Sequence, residues 1–419
     1  MSQYQVLSIL YNKMGGPSWK SNNWFDYSDV CTFDGIMCDD NHKFVKSLIL
    51  DGFGLIGVIP SEIMLLPSLV NIKLSNNQLH GEIPQEIYIY GVAFGENHSN
   101  TSQVDYNIKN SIDFKKNSLS FGQKDIDMLN RLTSLDLSYN LFSGTFPSGL
   151  FNIQNVNMSN NNFFGSLDKC ISEFFQSATS SIDGNVLFDF DIYGNSLSGI
   201  FPSSLSKFPS LRRLAIGRNS FSGTLPTELT KLSQLEVLLF MDNLVSGTVP
   251  SEIGLFNNLK EIDWSNNKIY GNLPSEIGNV ATLQTLRMGN NAITNTLPTS
   301  LRYLKSLSLF DGSNNSLSGS IPTEIGTLKM LNALSVSSNS ITGSIPTELS
   351  NLTSLQWLNL ESNMLTGSLP LTILQSLSSL RFLNIASNDF SGSISYEMSE
   401  IIFGKYNATF VLSQRNVID

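Results

Sequence analysis

Charge is scarce in this 419-residue sequence: only 14% of the residues are Asp, Glu, Lys or Arg, with 25 basic against 35 acidic. A formal charge of −10 without clustered lysines and arginines excludes a nucleic-acid-binding surface, whose affinity rests on such clusters. Three cysteines are too few for a disulfide-stapled scaffold. No apolar run approaches the ~20 residues that cross a bilayer. Met1 to Leu10 lacks the basic start and apolar segment of a leader. Membrane attachment is therefore expected only through segments absent from this chain.

Motifs for chemistry are missing too. His42, His80 and His98 fall in separate segments with no HExxH or paired metal spacing. Neither a phosphate-cradling GxxxxGK[ST], a kinase signature set nor a GxSxG elbow is present. The expectation is a non-enzyme with no cofactor and no metal.

What the sequence does have is a period. Asn195, Asn219, Asn243, Asn267, Asn291, Asn315, Asn339 and Asn363 stand 24 apart, and Pro202 through Pro370 keep the same step. Around each Asn the pattern is LxxLxLxxNxLxGxIP, as in Leu355-Gln-Trp-Leu358-Asn-Leu360-Glu-Ser-Asn363-Met-Leu365-Thr-Gly367-Ser-Leu369-Pro370. In LxLxxN the leucines alternate with polar residues, which is the signature of a short strand with one buried face. The Asn amide, with two donors and an acceptor, can satisfy turning backbone that no strand ladder reaches. Gly supplies freedom at the next bend, and Pro starts the return segment. Ser or Thr follows, often with Glu after it (Glu62, Glu228, Glu252, Glu276, Glu324, Glu348), which suits the first turn of a short helix or 3₁₀ segment.

One such rung cannot bury its own apolar face, so rungs stack with parallel strands ~4.8 Å apart. The predicted fold is an α/β repeat: a curved right-handed solenoid with a parallel sheet on its concave face and short helical or 3₁₀ segments on its convex face. Counting Phe53, Asn77, Asn117, Asn140, Asn161, the eight regular positions and Asn388 predicts fourteen rungs.

The motif resembles the plant-type leucine-rich repeat of receptor-like kinase and receptor-like protein ectodomains and of polygalacturonase-inhibiting proteins. The N-terminus resembles that family's cap: Val6, Leu7 and Leu10 on a short amphipathic segment, then Trp19, Trp24 and Cys31-Thr-Phe33-Asp-Gly35-Ile-Met-Cys38, with Phe33 where Trp is usual. The predicted layout is a cap at 1–44, repeats over 45–395 and an irregular tail or incomplete cap at 396–419. Asn407-Ala-Thr-Phe-Val-Leu reads there as a last irregular strand. The resemblance implies extracellular or cell-surface placement and a local Cys31–Cys38 bridge, leaving Cys170 as a buried or free thiol.

Two steps exceed 24 residues, from Asn77 to Asn117 and from Asn161 to Asn195. They read as insertions at about 85–107 and 168–185, serving either as tolerated surface loops or as ligand-contacting islands. Glycosylation sequons occur at Asn97, Asn100, Asn157, Asn314, Asn351 and Asn407. With 44 Asn and 84 Ser plus Thr in the chain, about nine are expected by chance, so their number says nothing of secretion.

The remaining candidate surface is the outward face of the sheet. The residues between the strand leucines read Ala215, Leu239, Asp263, Arg287, Asp311, Ser335, Asn359 and Asn384. Asp263, Arg287 and Asp311 form an alternating row, either paired with one another or lining a polar groove. In the run Val237-Leu238-Leu239-Phe240-Met241 the frame buries Leu238 and Phe240 and turns Val237, Leu239 and Met241 outward. Arg213 and Trp357 complete the candidate ligand-binding residues, Trp357 as an exposed anchor. Trp264 is expected in the core. The family implies a non-catalytic module that binds a peptide, glycan or protein, receptor-like in signalling or defence and working with a co-receptor. The alternative is a soluble inhibitor of a secreted hydrolase.

Overall fold

The computed structural model describes residues 1–20, 23–84, 87, 132–177, 187–391 and 409–411. They fall into two compact units, Met1–Leu197 and Ser198–Asp419.

The first unit opens with the helix Gln3–Lys13, started by a capping box in which Ser2 Oγ accepts from Gln5 N and Gln5 Oε1 accepts from Ser2 N. Val6, Leu7 and Leu10 are fully buried. Beneath them the rings of Trp19, Trp24 and Phe33 interlock, with centroids 4.8 Å apart for the two tryptophans and 5.4 Å for Trp24 and Phe33. Both indoles are satisfied: Trp19 Nε1 donates to Met14 O and Trp24 Nε1 to Asp34 O, each at 2.8 Å. A disulfide joins Cys31 to Cys38. Strand Ile36–Cys38 then runs antiparallel to Val45–Ile49, covering an edge that would otherwise template further pairing.

From Val45–Ile49 the strands Asn71–Lys73, Ser134–Asp136, Asn155–Asn157 and Asp189–Asp191 follow in parallel. Asn71–Lys73 lies directly beside Ser134–Asp136, and Asn140 reaches back to the preceding rung, accepting from Leu79 N and donating to Leu74 O. The expected rung at Asn117 falls within residues 88–131, which with Asn97 and Asn100 lie outside the described ones. Where an insertion was expected from about 168, the chain forms the helix Leu167–Ser177 and buries Cys170, Ile171 and Phe174.

The second unit keeps the 24-residue register. Strands Arg213–Ala215, Val237–Leu239, Glu261–Asp263, Thr285–Arg287, Leu309–Asp311, Ala333–Ser335, Trp357–Asn359 and Phe382–Asn384 pair in parallel, each residue beside its counterpart one rung on. Thr409–Val411 adds a last parallel strand beside Phe382–Asn384, in the segment read as an irregular strand. The leucines of LxLxxN point into the core, where Leu238, Phe240, Ile262, Trp264, Leu286 and Met288 are all 0% exposed.

The ladder asparagines do what their amide allows. Asn267 Nδ2 donates to Phe240 O, Trp264 O and Ser265 O at 3.0–3.2 Å, and its Oδ1 accepts from Val245 N at 3.0 Å. One side chain thus satisfies groups of its own rung and of the one before, at a bend where strand pairing cannot. The residue before each of these asparagines sits in the left-handed region, as at Arg218, Asp242, Asn266, Asn290, Asn314, Ser338 and Ser362. Beyond the Asn the chain forms a second short parallel sheet that the sequence reading did not separate: Ser220–Gly223, Leu244–Gly247, Lys268–Asn272, Ala292–Asn295, Ser316–Gly319, Ser340–Gly343 and Met364–Leu365. Gly247 closes its strand at φ +83°, where a Cβ would meet Thr224 Cγ2 at 2.6 Å. Pro then caps a single 3₁₀ segment, such as Ser251–Leu255 after Pro250.

Candidate functional site

The outward positions of the long sheet in the second unit form two parallel columns, called here the ladder face. One column reads Arg213, Val237, Glu261, Thr285, Leu309, Ala333, Trp357 and Phe382; the other reads Ala215, Leu239, Asp263, Arg287, Asp311, Ser335, Asn359 and Asn384. The candidate residues Arg213, Val237, Leu239, Asp263, Arg287, Asp311 and Trp357 are therefore brought onto one face. Met241 lies two residues beyond Leu239, in the same rung. Val237, Leu239 and Met241 are each half-buried, while Leu238 and Phe240 between them are fully buried.

Of the two readings of the row Asp263, Arg287 and Asp311, mutual pairing is not the arrangement found. Arg287 Nη1 bonds Glu261 Oε1 at 2.9 Å, diagonally across to the neighbouring column and the previous rung. The aspartates turn instead to their own backbone: Asp263 Oδ1 accepts from Ser265 N and Ser265 Oγ, and Asp311 Oδ1 from Ser313 N. Asn359 and Asn384 accept from the N–H two residues on in the same way. A short acceptor at this position thus closes the turn out of the strand, and Asp263 is 94% buried by that packing (6% exposed). Burial pushes its carboxyl above the ordinary range, opposed by its bonds to Ser265 and by the Arg287 charge.

Trp357 is the exposed aromatic that the frame requires, at 45% exposure. Its ring stacks on Phe382, centroids 3.6 Å apart and planes 10° from parallel. Sequence reasoning missed this partner, as it missed Glu261. The column that sets Asn384 after Asn359 already carries the 25-residue step from Asn363 to Asn388, and the same register sets Phe382 beside Trp357.

Trp264 is in the core as expected, with its Nε1 unpartnered. The Cys170 thiol is pushed up to about 11 by burial, so at neutral pH it stays protonated and unreactive. Of the sequons, Asn314 and Asn351 are exposed, whereas Asn157 is half-buried and its Oδ1 accepts from Ser159 N; Asn407 lies outside the described residues. Among the described residues no cluster of His, Cys, Asp and Glu could hold a metal ion. No helix among them is long and apolar enough to cross a membrane.

The leucine-rich-repeat family model matches residues 131–153, 258–280, 303–328, 330–352 and 354–376, each containing the strand leucines or the Pro-led return segment. Those five stretches are leucine-rich repeats. The chain is similar to Receptor-like protein 35 of Arabidopsis thaliana, 29% identical over 185 residues, which are 43% of this chain and 17% of that protein. Its fold matches the crystal structure of PEPR1-AtPEP1 with a TM-score of 0.70 at 27% identity, covering 97% of this chain and 55% of that one. It also matches the plant peptide hormone receptor RGFR1 in complex with RGF2, with a TM-score of 0.58 at 26% identity over 91% of this chain and 68% of that one. The chain thus spans 17% of the curated relative's length and about half of the first solved chain.

Proposed function

We propose that this chain is an extracellular recognition module of a receptor-like protein and binds an extended peptide along the ladder face of the unit Ser198–Asp419. The observation that carries the reading is the apolar patch of Val237, Leu239 and Met241, which the core does not use and which stands between Arg213 on one side and Asp263 and Arg287 on the other. Apolar contact at the centre with charged groups at the rim is the usual composition of a protein-binding surface. Likeness to RGFR1, a peptide hormone receptor, supports a peptide over other ligands. The Cys31–Cys38 disulfide fits an oxidising compartment, where Asn314 and Asn351 are the exposed glycan acceptors among the described residues. Signalling would then pass to a co-receptor or to further segments. The reading as a hydrolase inhibitor has no support in these matches.

The test is a screen of the whole chain against a synthetic peptide library, repeated with Leu239→Asp. Hits whose affinity falls about tenfold or more in a variant with unchanged melting temperature support the proposal. A library without hits, or hits that bind the variant equally well, would overturn it.

A further inference from the structure

Five rungs from Leu239, or ~24 Å at strand spacing, the ladder face changes character. Its first column there reads Leu309, Ala333, Trp357, Phe382, with no charged side chain among them. The Trp357 and Phe382 rings stack along the ladder axis, because the two residues are direct neighbours in register. The other face of Trp357 must therefore look toward the preceding rung, where the register neighbour is Ala333, the smallest side chain of the four. Leu309 lies beyond Ala333. The result is one open aromatic face above a small residue, bounded by an aliphatic one.

What surrounds the open face of Trp357 is amide, with the exposed Arg381 one rung further on beside Phe382. Asn332 and Gln356 are exposed at the rim where the chain enters the strands, and neither side chain has a hydrogen-bond partner. Asn359, beside Trp357 in the next column, uses only its Oδ1, accepting from Glu361 N, and leaves its Nδ2 free. The nearby Glu361 carboxylate already accepts from Asn384 Nδ2 at 2.8 Å.

We propose that Trp357 is the stacking platform of a second ligand site, which takes one ring of a neutral oligosaccharide. A pyranose ring has C–H bonds on its faces, suited to an aromatic plane, and hydroxyls around its edge that both donate and accept. Amides, which also do both, are the matching partners. A peptide aromatic could use the Trp357 face but would leave the free amides of Asn332, Gln356 and Asn359 without partners, and an anionic ligand would find a single counter-charge, Arg381, one rung beyond Gln356. The site goes beyond the peptide patch and does not depend on it.

Trp357 is also its own reporter. Trp19, Trp24 and Trp264 are at most 5% exposed, so acrylamide quenching of tryptophan fluorescence reads Trp357. The probes are cellohexaose, mannohexaose and xylohexaose, with oligogalacturonate as the charged control, on the whole chain. The expected result is that at least one neutral hexasaccharide at millimolar concentration shields the quenchable tryptophan. By calorimetry, Trp357→Ala is expected to lose that binding, Trp357→Phe to retain it within about tenfold, and Leu239→Asp to bind as wild type. Ala333→Leu leaves Trp357 unaltered but covers its open face, and is expected to lose binding too. The proposal is overturned if no neutral sugar shields Trp357, or if Trp357→Ala or Ala333→Leu binds as well as wild type. It is also overturned if only a peptide or the charged sugar gives shielding; a peptide result of that kind would leave the receptor reading standing.

Discussion

The two faces of a single strand differ more than any two segments of this chain. Leu238 and Phe240 point inward and are fully buried, whereas Leu239, between them, is half-buried on the ladder face. All three are large and apolar, so composition does not separate them; the parity of the position does. The inward residues are fixed by neighbours on several rungs: Phe240 packs edge-on to Phe201 at 5.3 Å and against Trp264 at 6.4 Å. The outward one is fixed by nothing the core requires, which leaves it free to be chosen for a ligand.

The sharpest way to break this contrast is charge. Phe240→Asp removes a buried ring and puts a carboxylate among aromatics, and is expected to cost about 5 kcal/mol or more. Leu239→Asp is expected to stay within about 0.5 kcal/mol of wild type. Thermal melts of the two variants decide it: equal losses would mean that the frame is misassigned at this rung.

The same contrast holds for polar residues. Asn267 and Asn359 lie on neighbouring parts of the repeat, yet Asn267 satisfies four backbone groups and Asn359 one. Asn267→Ala leaves the Val245 N–H and several carbonyls unpaired and is expected to cost about 3 kcal/mol, while Asn359→Ala should cost less than about 1 kcal/mol. Chemical denaturation of both variants measures the difference. Similar costs would show that the amide at the bend is no more committed than the one on the face.

The solenoid was legible because a 24-residue step fixes which leucines share a core, and because Asn at the bend has a defined hydrogen-bonding duty. The candidate face was legible for the same reason, since parity alone put Leu239, Arg287 and Trp357 on it. What the pattern did not reveal depends on individual side chains. Nothing in LxLxxN says that Asp263 and Asp311 turn back to their own backbone, which leaves Arg287 to Glu261. Phe382 follows from the register that set Asn384 beside Asn359, but parity says only that two aromatics are neighbours and not that their rings stack. The second short sheet was compressed into one bend because Gly there reads as turn, although Ser220-Phe221-Ser222 alternates like a strand.

A finer comparison is between the two acidic residues on the Glu261–Asp263 strand. Glu261 and Arg287 are each about one-third exposed on their side chains, so their bond should contribute less than about 1 kcal/mol. A double-mutant cycle with Glu261→Gln and Arg287→Gln is expected to give a coupling of that size which fades at high salt. A larger, salt-insensitive coupling would make the pair part of the scaffold and unavailable to a ligand.

Asp263, two residues on, should show the opposite sign. Burial raises its folded-state pKa, so the folded chain holds that proton more tightly than the unfolded chain does. Its contribution is therefore most favourable below the ordinary carboxylate range and is lost as pH rises through the folded value. Asp263→Asn keeps an oxygen for Ser265 N and removes the buried charge, so it is expected to raise the melting temperature slightly at neutral pH. That gain should disappear at pH values below the unfolded Asp range, where the wild-type carboxyl is protonated as well. A melting temperature that falls at neutral pH in Asp263→Asn would show that attraction to Arg287 outweighs desolvation, and that the charge on the ladder face is held there by the sheet.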